Sequence, residues 1–273
     1  MKQRLDVYLT ANGLLPSREK AKDRILAGDV SVNKKPVTKP GFEVGPEDLV
    51  ELGGEDMRYV SRGGYKLEKA LTEFGIDLKG LTCIDAGAST GGFTDCMLQA
   101  GAAKVYAVDV GTAQLHESLL RNERVVSVEQ TDVRTLRPET VGGGADFLAA
   151  DLSFISLSKV LPVFLPLLKD GGELVCLIKP QFEAGREAVG KNGIVKDRKA
   201  HRSVLKEVTE LAAGMGFAIT GLTFSPIRGR GGNIEYLFAG RKTGQPGAGI
   251  SPKEAERIVD EAFLYHSQSG KRS

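Results

Sequence analysis

The run Thr82-Cys83-Ile84-Asp85-Ala86-Gly87-Ala88-Ser89-Thr90-Gly91-Gly92-Phe93-Thr94 sets the architecture of everything around it. Its first five residues read as a strand, the next ones are small and glycine-rich, and Phe93-Thr94 opens a helix. Small residues let a ligand approach the backbone closely, and a helix start offers free N–H donors. Glycines alone fit a dinucleotide as well as a methyl donor. Asp85 tips the reading toward S-adenosylmethionine, because a carboxylate before the turn can face the ligand's ammonium group and would repel a pyrophosphate.

Outward from this turn, helix and strand alternate. A helix over 66–74 precedes the strand at 82–86. Strands follow at 104–108, 125–128, 147–150, 174–178, 218–224 and 234–239, with helices near 93–100, 115–121, 157–168 and 199–214. Such alternation predicts an α/β, Rossmann-like, mostly parallel seven-stranded sheet with helices on both faces. The last two strands come late and close together, which predicts an antiparallel edge. Asp109 ends the second strand, where a carboxylate can accept both ribose hydroxyls. Asp132, in Gln130-Thr131-Asp132-Val133, ends the third and can accept from an adenine amino group. The bland reading of either aspartate is a turn or helix cap.

Four charges stand at the edges of apolar runs: Gly-Gly-Tyr-Lys66, Ala-Ala-Asp151, Cys-Leu-Ile-Lys179-Pro and Gly-Asn-Ile-Glu235-Tyr. Charges so placed are costly unless they meet and pair. Together they can activate a ribose hydroxyl. Pro180 favours an extended conformation at Lys179 and aims it at the carboxyl edge of the sheet, where ligands bind. A lysine acts as a base only if its pKa falls. Burial and a second ammonium, Lys66, push it down, while Asp151 and Glu235 push it up. Sequence leaves open which lysine handles the proton. Read singly, Lys179 is a strand-end lysine in solvent, Asp151 a turn cap, Glu235 an edge-strand surface residue and Lys66 a solvated helix position. Residues 183–196 read as a glycine-rich, basic, mobile loop that closes over RNA, and 227–232 as a second basic loop. Met97 and the scattered phenylalanines read as core.

The first forty residues hold nine Lys/Arg against four Asp/Glu, a local excess of +5 in a chain of net charge +2. Leu5, Leu9 and Leu14/Leu15 predict a short helix closed by Asn12-Gly13. Ser17 caps a second helix with Ala21, Ile25 and Leu26 inward, ended by Gly28. Strands at 30–33 and 49–52 follow. Two helices, a small hairpin and outward bases make a platform for phosphates. Gly53-Gly54-Glu55-Asp56 reads as a joint, with the boundary near residue 56.

At 273 residues and 41% hydrophobic, the chain fits two domains and can bury a core. No apolar run is long enough to span a membrane, and the N-terminus reaches charge before any apolar stretch, which argues against a secretory signal. Cys83, Cys96 and Cys176 are isolated, which argues against disulfides and metal alike. These properties predict a cytoplasmic protein with no metal and no membrane partner.

The N-terminal stretch resembles the RNA-binding module named after small-ribosomal-subunit protein four, through Arg4-Leu5-Asp6, Leu9, Gly13, Ser17-Arg18, Ala21, Ile25, Gly28, Val30-x-Val32-Asn33 and Lys39-Pro40. The remainder resembles ribose methyltransferases of the FtsJ type. With its N-terminal module, the chain resembles the TlyA family, often labelled hemolysins, through Arg58 to Leu67, Asp85 to Phe93, Asp151 to Ser156, Ile178 to Glu183 and Gly232 to Glu235. The resemblance implies 2′-O-methylation of cytidine in ribosomal RNA, or in ribosomal subunits, with S-adenosylmethionine as donor. It places Lys66, Asp151, Lys179 and Glu235 on a catalytic set. It puts Gly91, Phe93, Asp109, Asp132 and Asp151 at the donor, and with Asp85, Gly87, Ser89, Gly92 and Val133 these form the expected pocket. Ser89-Thr90 departs from the usual Ala-Pro of that loop. Expected RNA contacts are Arg4, Arg18, Lys22, Lys34 and Lys35, joined by Arg62 and Arg228. The expected domains are an RNA-binding domain over 1–56, a linker over 57–64, a methyltransferase domain over 65–245 and a C-terminal helical tail over 246–273. Other readings are an oxidoreductase, which needs neither Asp85 nor an RNA module; a membrane-lytic protein, for which no apolar span or strongly amphipathic segment exists; and a non-catalytic ribosomal RNA binding or assembly factor.

Overall fold

The computed structural model describes residues 2–15, 17–26, 30–52 and 58–269, and the chain divides into an N-terminal unit and a larger one over Arg58–Ser267. The N-terminal unit runs β1 (Gln3–Arg4), α1 (Leu5–Ala11), α2 (Arg18–Leu26), β2 (Val30–Val32), β3 (Lys35–Pro36), β4 (Glu43–Val44) and β5 (Val50–Leu52). β1 pairs with β4, and β3-β2-β5 form a second, antiparallel sheet. Leu5, Leu9, Ala21, Ile25, Val30, Val32, Val37 and Val44 fill the core. The first helix stops at Ala11, before Leu14 and Leu15. Gly13 takes φ +68, which glycine adopts without strain, and the amides of both leucines turn back to the Leu9 carbonyl. Ser17 accepts from the Lys20 amide at 3.2 Å, capping α2. The expected stop at Gly28 and the joint at Gly53–Asp56 lie outside the described residues.

The larger unit runs α3 (Gly63–Phe74), β6 (Thr82–Ala86), α4 (Gly92–Gln99), β7 (Lys104–Val108), α5 (Glu117–Leu120), β8 (Val125–Val128), β9 (Ala145–Ala150), α6 (Leu161–Leu167), β10 (Leu168–Ile178), α7 (Pro180–Glu183), α8 (Arg198–Gly214), β11 (Phe217–Phe224), β12 (Tyr236–Lys242) and α9 (Pro252–Ser269). Its seven strands lie in the order β11-β12-β10-β9-β6-β7-β8. The β10-β9-β6-β7-β8 pairings are parallel, and β12 runs antiparallel to both neighbours. Two apolar layers cover the sheet. One holds Leu67, Phe93 and Met97; the other holds Phe164, Leu205, Phe217 and Val259.

Several elements differ from the pattern read in sequence, each for a local reason. β10 starts at Leu168, which already pairs with Ala145 of β9 before the register shifts on the way to Glu173. The helix expected over 157–168 splits into a single 3-10 turn, Leu157–Lys159, and α6, which carries Pro162 at its start and Pro166 inside. α3 begins at Gly63, and Tyr59 is buried against the same core, with the Val60 amide donating to Asp95. Residues 58–64 therefore pack as part of this unit instead of forming a linker. α9 likewise contributes Ala255, Ile258, Val259 and Ala262 to the core. Among the described residues no helix is long and apolar enough to cross a membrane.

Candidate active site

Parallel strands deliver their final residues to one edge of the sheet. Asp85 lies near the end of β6, while Asp109, Asp151 and Lys179 directly follow β7, β9 and β10. Glu235 precedes β12, and because β12 is antiparallel its beginning falls at that same edge. Lys66 comes from the first turn of α3. The four charges meet. Lys66 Nζ donates to Glu235 Oε2 at 2.8 Å and to Asp151 Oδ2 at 3.1 Å. Lys179 Nζ pairs with Asp151 Oδ1 at 2.6 Å and donates to Ser153 Oγ at 3.0 Å. Lys66, Lys179 and Glu235 are only 8%, 6% and 2% exposed. Asp151 therefore bridges the two lysine amines, and Lys66 bridges two carboxylates.

That wiring separates the two lysines. Burial pushes Lys66 down, but Asp151 and Glu235 outweigh it and hold the amine above its ordinary value, locked as an ammonium. Burial pushes Asp151 up, yet Lys66 and Lys179 together keep it below the usual carboxylate range. Lys179 has one carboxylate oxygen and a neutral serine hydroxyl as its hydrogen-bonding partners.

Beside this cluster lies the glycine turn. A Cβ on Gly87 (φ +88) would stand 2.8 Å from the Asp151 carbonyl, and Gly91 (φ +97) leaves no space for one against Leu119. The Ser89 amide donates to Asp109 Oδ2 at 2.8 Å and the Gly111 amide to its Oδ1 at 2.7 Å. Asp85 is fully buried. Its Oδ2 accepts from the Thr94 amide at 2.8 Å and the Thr94 hydroxyl at 2.7 Å, while Oδ1 has no partner. Burial pushes this carboxyl up to about 7 despite Thr94. An orphaned buried carboxylate oxygen beside a turn in which Gly87 and Gly91 leave no room for a Cβ fits the ammonium of a ligand such as S-adenosylmethionine.

Other expected residues sit differently. Gly92 is the first residue of α4, and Phe93 and Val133 are buried in the two core layers. Asp132 caps the 3-10 turn Val133–Thr135, accepting from the Arg134 amide at 2.9 Å and pairing with the Arg134 guanidinium. Arg4 and Arg18, each about half exposed, both bind the buried Asp6 carboxylate, at 3.0 and 3.3 Å, and with Arg4 foremost hold it below its ordinary range. Lys22, Lys34 and Lys35 are exposed. Arg62 stands at the start of α3. Arg228 folds back onto the carbonyls of Gly232 and His266. The far end of the loop expected to be mobile is tied to its neighbours. The Val195 amide donates to Asn233 Oδ1, Asn233 Nδ2 to the Gly193 carbonyl, and the buried His201 Nε2 to the Val195 carbonyl, at 3.0, 2.8 and 2.9 Å.

Two residues escaped the sequence reading. Ser153 accepts from Lys179, and Phe154, read as core, is 90% exposed with φ +63, its ring 5.2 Å from Phe182. The signal was present, since Ser153 and Ser156 flank Phe154-Ile155 directly after a candidate catalytic aspartate. Among the described residues no group of His, Cys, Asp or Glu side chains is placed to hold a metal ion.

The sheet order and the glycine turn define the Rossmann-like class I methyltransferase fold. Residues 59–242 match the family described as FtsJ-like methyltransferase and residues 3–50 the S4 domain. The chain belongs to the FtsJ-like methyltransferase family and carries an S4 domain before it. It is 48% identical over 266 residues to the Bacillus subtilis protein named "Putative rRNA methyltransferase YqxC", covering 96% of this chain and 94% of the relative. It is 41% identical over 261 residues to the Mycobacterium tuberculosis "16S/23S rRNA (cytidine-2'-O)-methyltransferase TlyA", covering 95% and 97%. Among solved structures, "Putative hemolysin from Streptococcus thermophilus" superposes with a TM-score of 0.80 at 45% identity, covering 99% of this chain and 98% of that one.

Proposed function

We propose that this methyltransferase moves a methyl group from S-adenosylmethionine to the 2′-hydroxyl of a cytidine in ribosomal RNA. The observation that carries the reading is the Lys66–Asp151–Lys179 bridge, closed by Glu235, at the carboxyl edge beside the glycine turn. The S4 domain and the relative named for cytidine 2′-O-methylation support the choice of substrate.

Bound at the turn, the donor supplies a sulfonium methyl that is already activated. The chain must align the attack and take one proton. Asp85 Oδ1 would meet the donor's ammonium, Asp109 its ribose hydroxyls and Asp132, whose carboxylate pairs with Arg134, its adenine amine. Gly87, Ser89, Gly91 and Gly92 shape the close approach. Lys179 Nζ takes the 2′-hydroxyl proton and releases it to water after the product leaves. Asp151, kept ionised by both lysines, holds Lys179 in line. Lys66, fixed as an ammonium between two carboxylates, positions Asp151 and takes no proton. Phe154 offers an open aromatic face for the target base, since enzymes that modify one nucleotide expose it from its stack. Arg4, Arg18, Lys22, Lys34, Lys35 and Arg62 contact phosphates.

The test is incubation with labelled S-adenosylmethionine and separated ribosomal subunits, followed by mapping of 2′-O-methyl sites. Transfer to one ribose, or to a small set, is expected. No transfer to either subunit or to intact ribosomes overturns the reading.

Asp85 yields a second expectation. Its folded pKa of about 7 stands above the ordinary 3.8, so between those values the native state keeps a proton that the unfolded chain releases. Stability of the ligand-free protein therefore falls as pH rises through that window. Asp85→Asn, an isostere of the protonated acid, should flatten this slope in thermal melts and weaken donor binding by calorimetry. An unchanged slope counts against the burial argument; unchanged affinity counts against the ammonium contact.

A further inference from the structure

The single turn α7 faces the segment after Asp151, and the two meet in step. At its start, Lys179 holds Asp151 and Ser153. In its middle, the Phe182 ring lies against Phe154. At its end, Glu183 Oε2 accepts from Ser156 Oγ at 2.7 Å and Oε1 from the Leu157 amide at 2.8 Å. Ser156 Oγ in turn accepts from the Ser158 amide at 3.2 Å, opening the 3-10 turn. Between these anchors stands Phe154, with φ +63 and its ring almost wholly in solvent. A phenylalanine in the left-handed region is strained, and an exposed ring gains little from burial, so neighbours must impose the conformation. Burial pushes the Glu183 carboxyl up, against the two donors that hold it down. A carboxylate kept there at that cost has both oxygens committed to the strap 153–157.

We propose that Glu183 is a positioning residue for the target nucleotide. Through Ser156 and Leu157 it fixes the far end of the strap, Lys179 fixes the near end, and Phe154 is thereby held raised under the base. The inference rests on the reading of Phe154 as the support of that base. It assigns a task to the Lys-Pro-Gln-Phe-Glu run beyond its lysine: α7 is the template on which the strap is formed.

The chain has no tryptophan, so Phe154→Trp introduces a single indole that reports on the strap alone. Glu183→Ala in that background should lower the indole's anisotropy and raise its quenching by acrylamide. Glu183→Gln should stay close to the parent, because its amide still accepts from Leu157 and can donate to Ser156. With Phe154 native, Glu183→Ala should lower kcat/KM for the RNA substrate about tenfold, while donor affinity stays within about twofold. Glu183→Gln should recover most of that loss. Phe154→Ala combined with Glu183→Ala should cost no more than Phe154→Ala alone, because both remove the same raised ring. An immobile indole in the Glu183→Ala protein overturns the positioning role whatever the activity, and so do fully additive losses. A mobilised indole with undiminished transfer overturns instead the reading of Phe154 as a base support. Should Glu183→Ala not fold, Glu183→Gln and Ser156→Ala carry the same comparison.

Discussion

Lys179→Ala abolishes methyl transfer, by about 10³-fold or more, and leaves binding of donor and RNA intact. The size follows from what the residue supplies. A 2′-hydroxyl is a poor nucleophile until it loses its proton, and a positioned base contributes about 10²–10⁴-fold. The selectivity follows from the wiring. Without Lys179, Asp151 keeps its contact with Lys66 Nζ at 3.1 Å, so the remaining cluster still has a partner for each charge. The donor turn, with Asp85 and Asp109 held by backbone amides, is not touched. Calorimetry with the donor, filter binding with RNA and single-turnover transfer separate the three quantities. Transfer within tenfold of the parent would remove Lys179 from the proton's path and leave the domain without an assigned base.

Much of this site was legible because burying a charge is expensive. Lys66, Asp151, Lys179 and Glu235 lie far apart in sequence, yet each ends or begins an apolar segment, and only mutual pairing makes that tolerable. The same logic located the strands, whose apolar runs have few alternatives in a sheet covered on both faces. Local competition was harder to read. Asp132 has the right place at a strand end, but Arg134, two residues on, supplies both an amide and a guanidinium to it. Arg228 looked like a free base in a glycine loop, whereas its guanidinium closes that loop on backbone carbonyls. Composition made 183–196 look mobile. Its anchors, Asn233 and His201, come from β12's approach and α8, and only tertiary structure shows them meeting Val195. Phe154 was missed for the opposite reason: residue type pointed inward, and only its φ and its exposure reveal that it points out.

Lys66→Met destabilises the methyltransferase unit by about 3–5 kcal/mol, the largest stability loss expected at any of the four positions. The methionine fills a similar volume and can occupy the same apolar stem, so the loss is electrostatic. Glu235, 2% exposed, loses its ammonium partner at 2.8 Å, and Asp151 keeps only Lys179. An unpaired buried carboxylate is far costlier than the pair was beneficial, which is why breaking half a buried pair costs more than replacing all of it. A second variant separates these terms. Lys66→Met with Glu235→Leu removes the orphan, leaves Asp151 with Lys179, and should recover most of the lost stability without restoring transfer. pH supplies an independent check on sign. The parent's Lys66 is raised above its ordinary value of 10.5, so its contribution is complete below that pH and lost on going above it. Asp151 is lowered, so its contribution is present above the ordinary 3.8 and lost in acid. The penalty in Lys66→Met should therefore be full at neutral pH and shrink in acid, where the parent's Asp151 is protonated and its bridge to Lys66 is lost. Urea unfolding of both variants between neutral and acidic pH measures this directly. A single variant as stable as the parent at neutral pH, or a double variant no better than the single, would show that the four charges are not energetically one cluster.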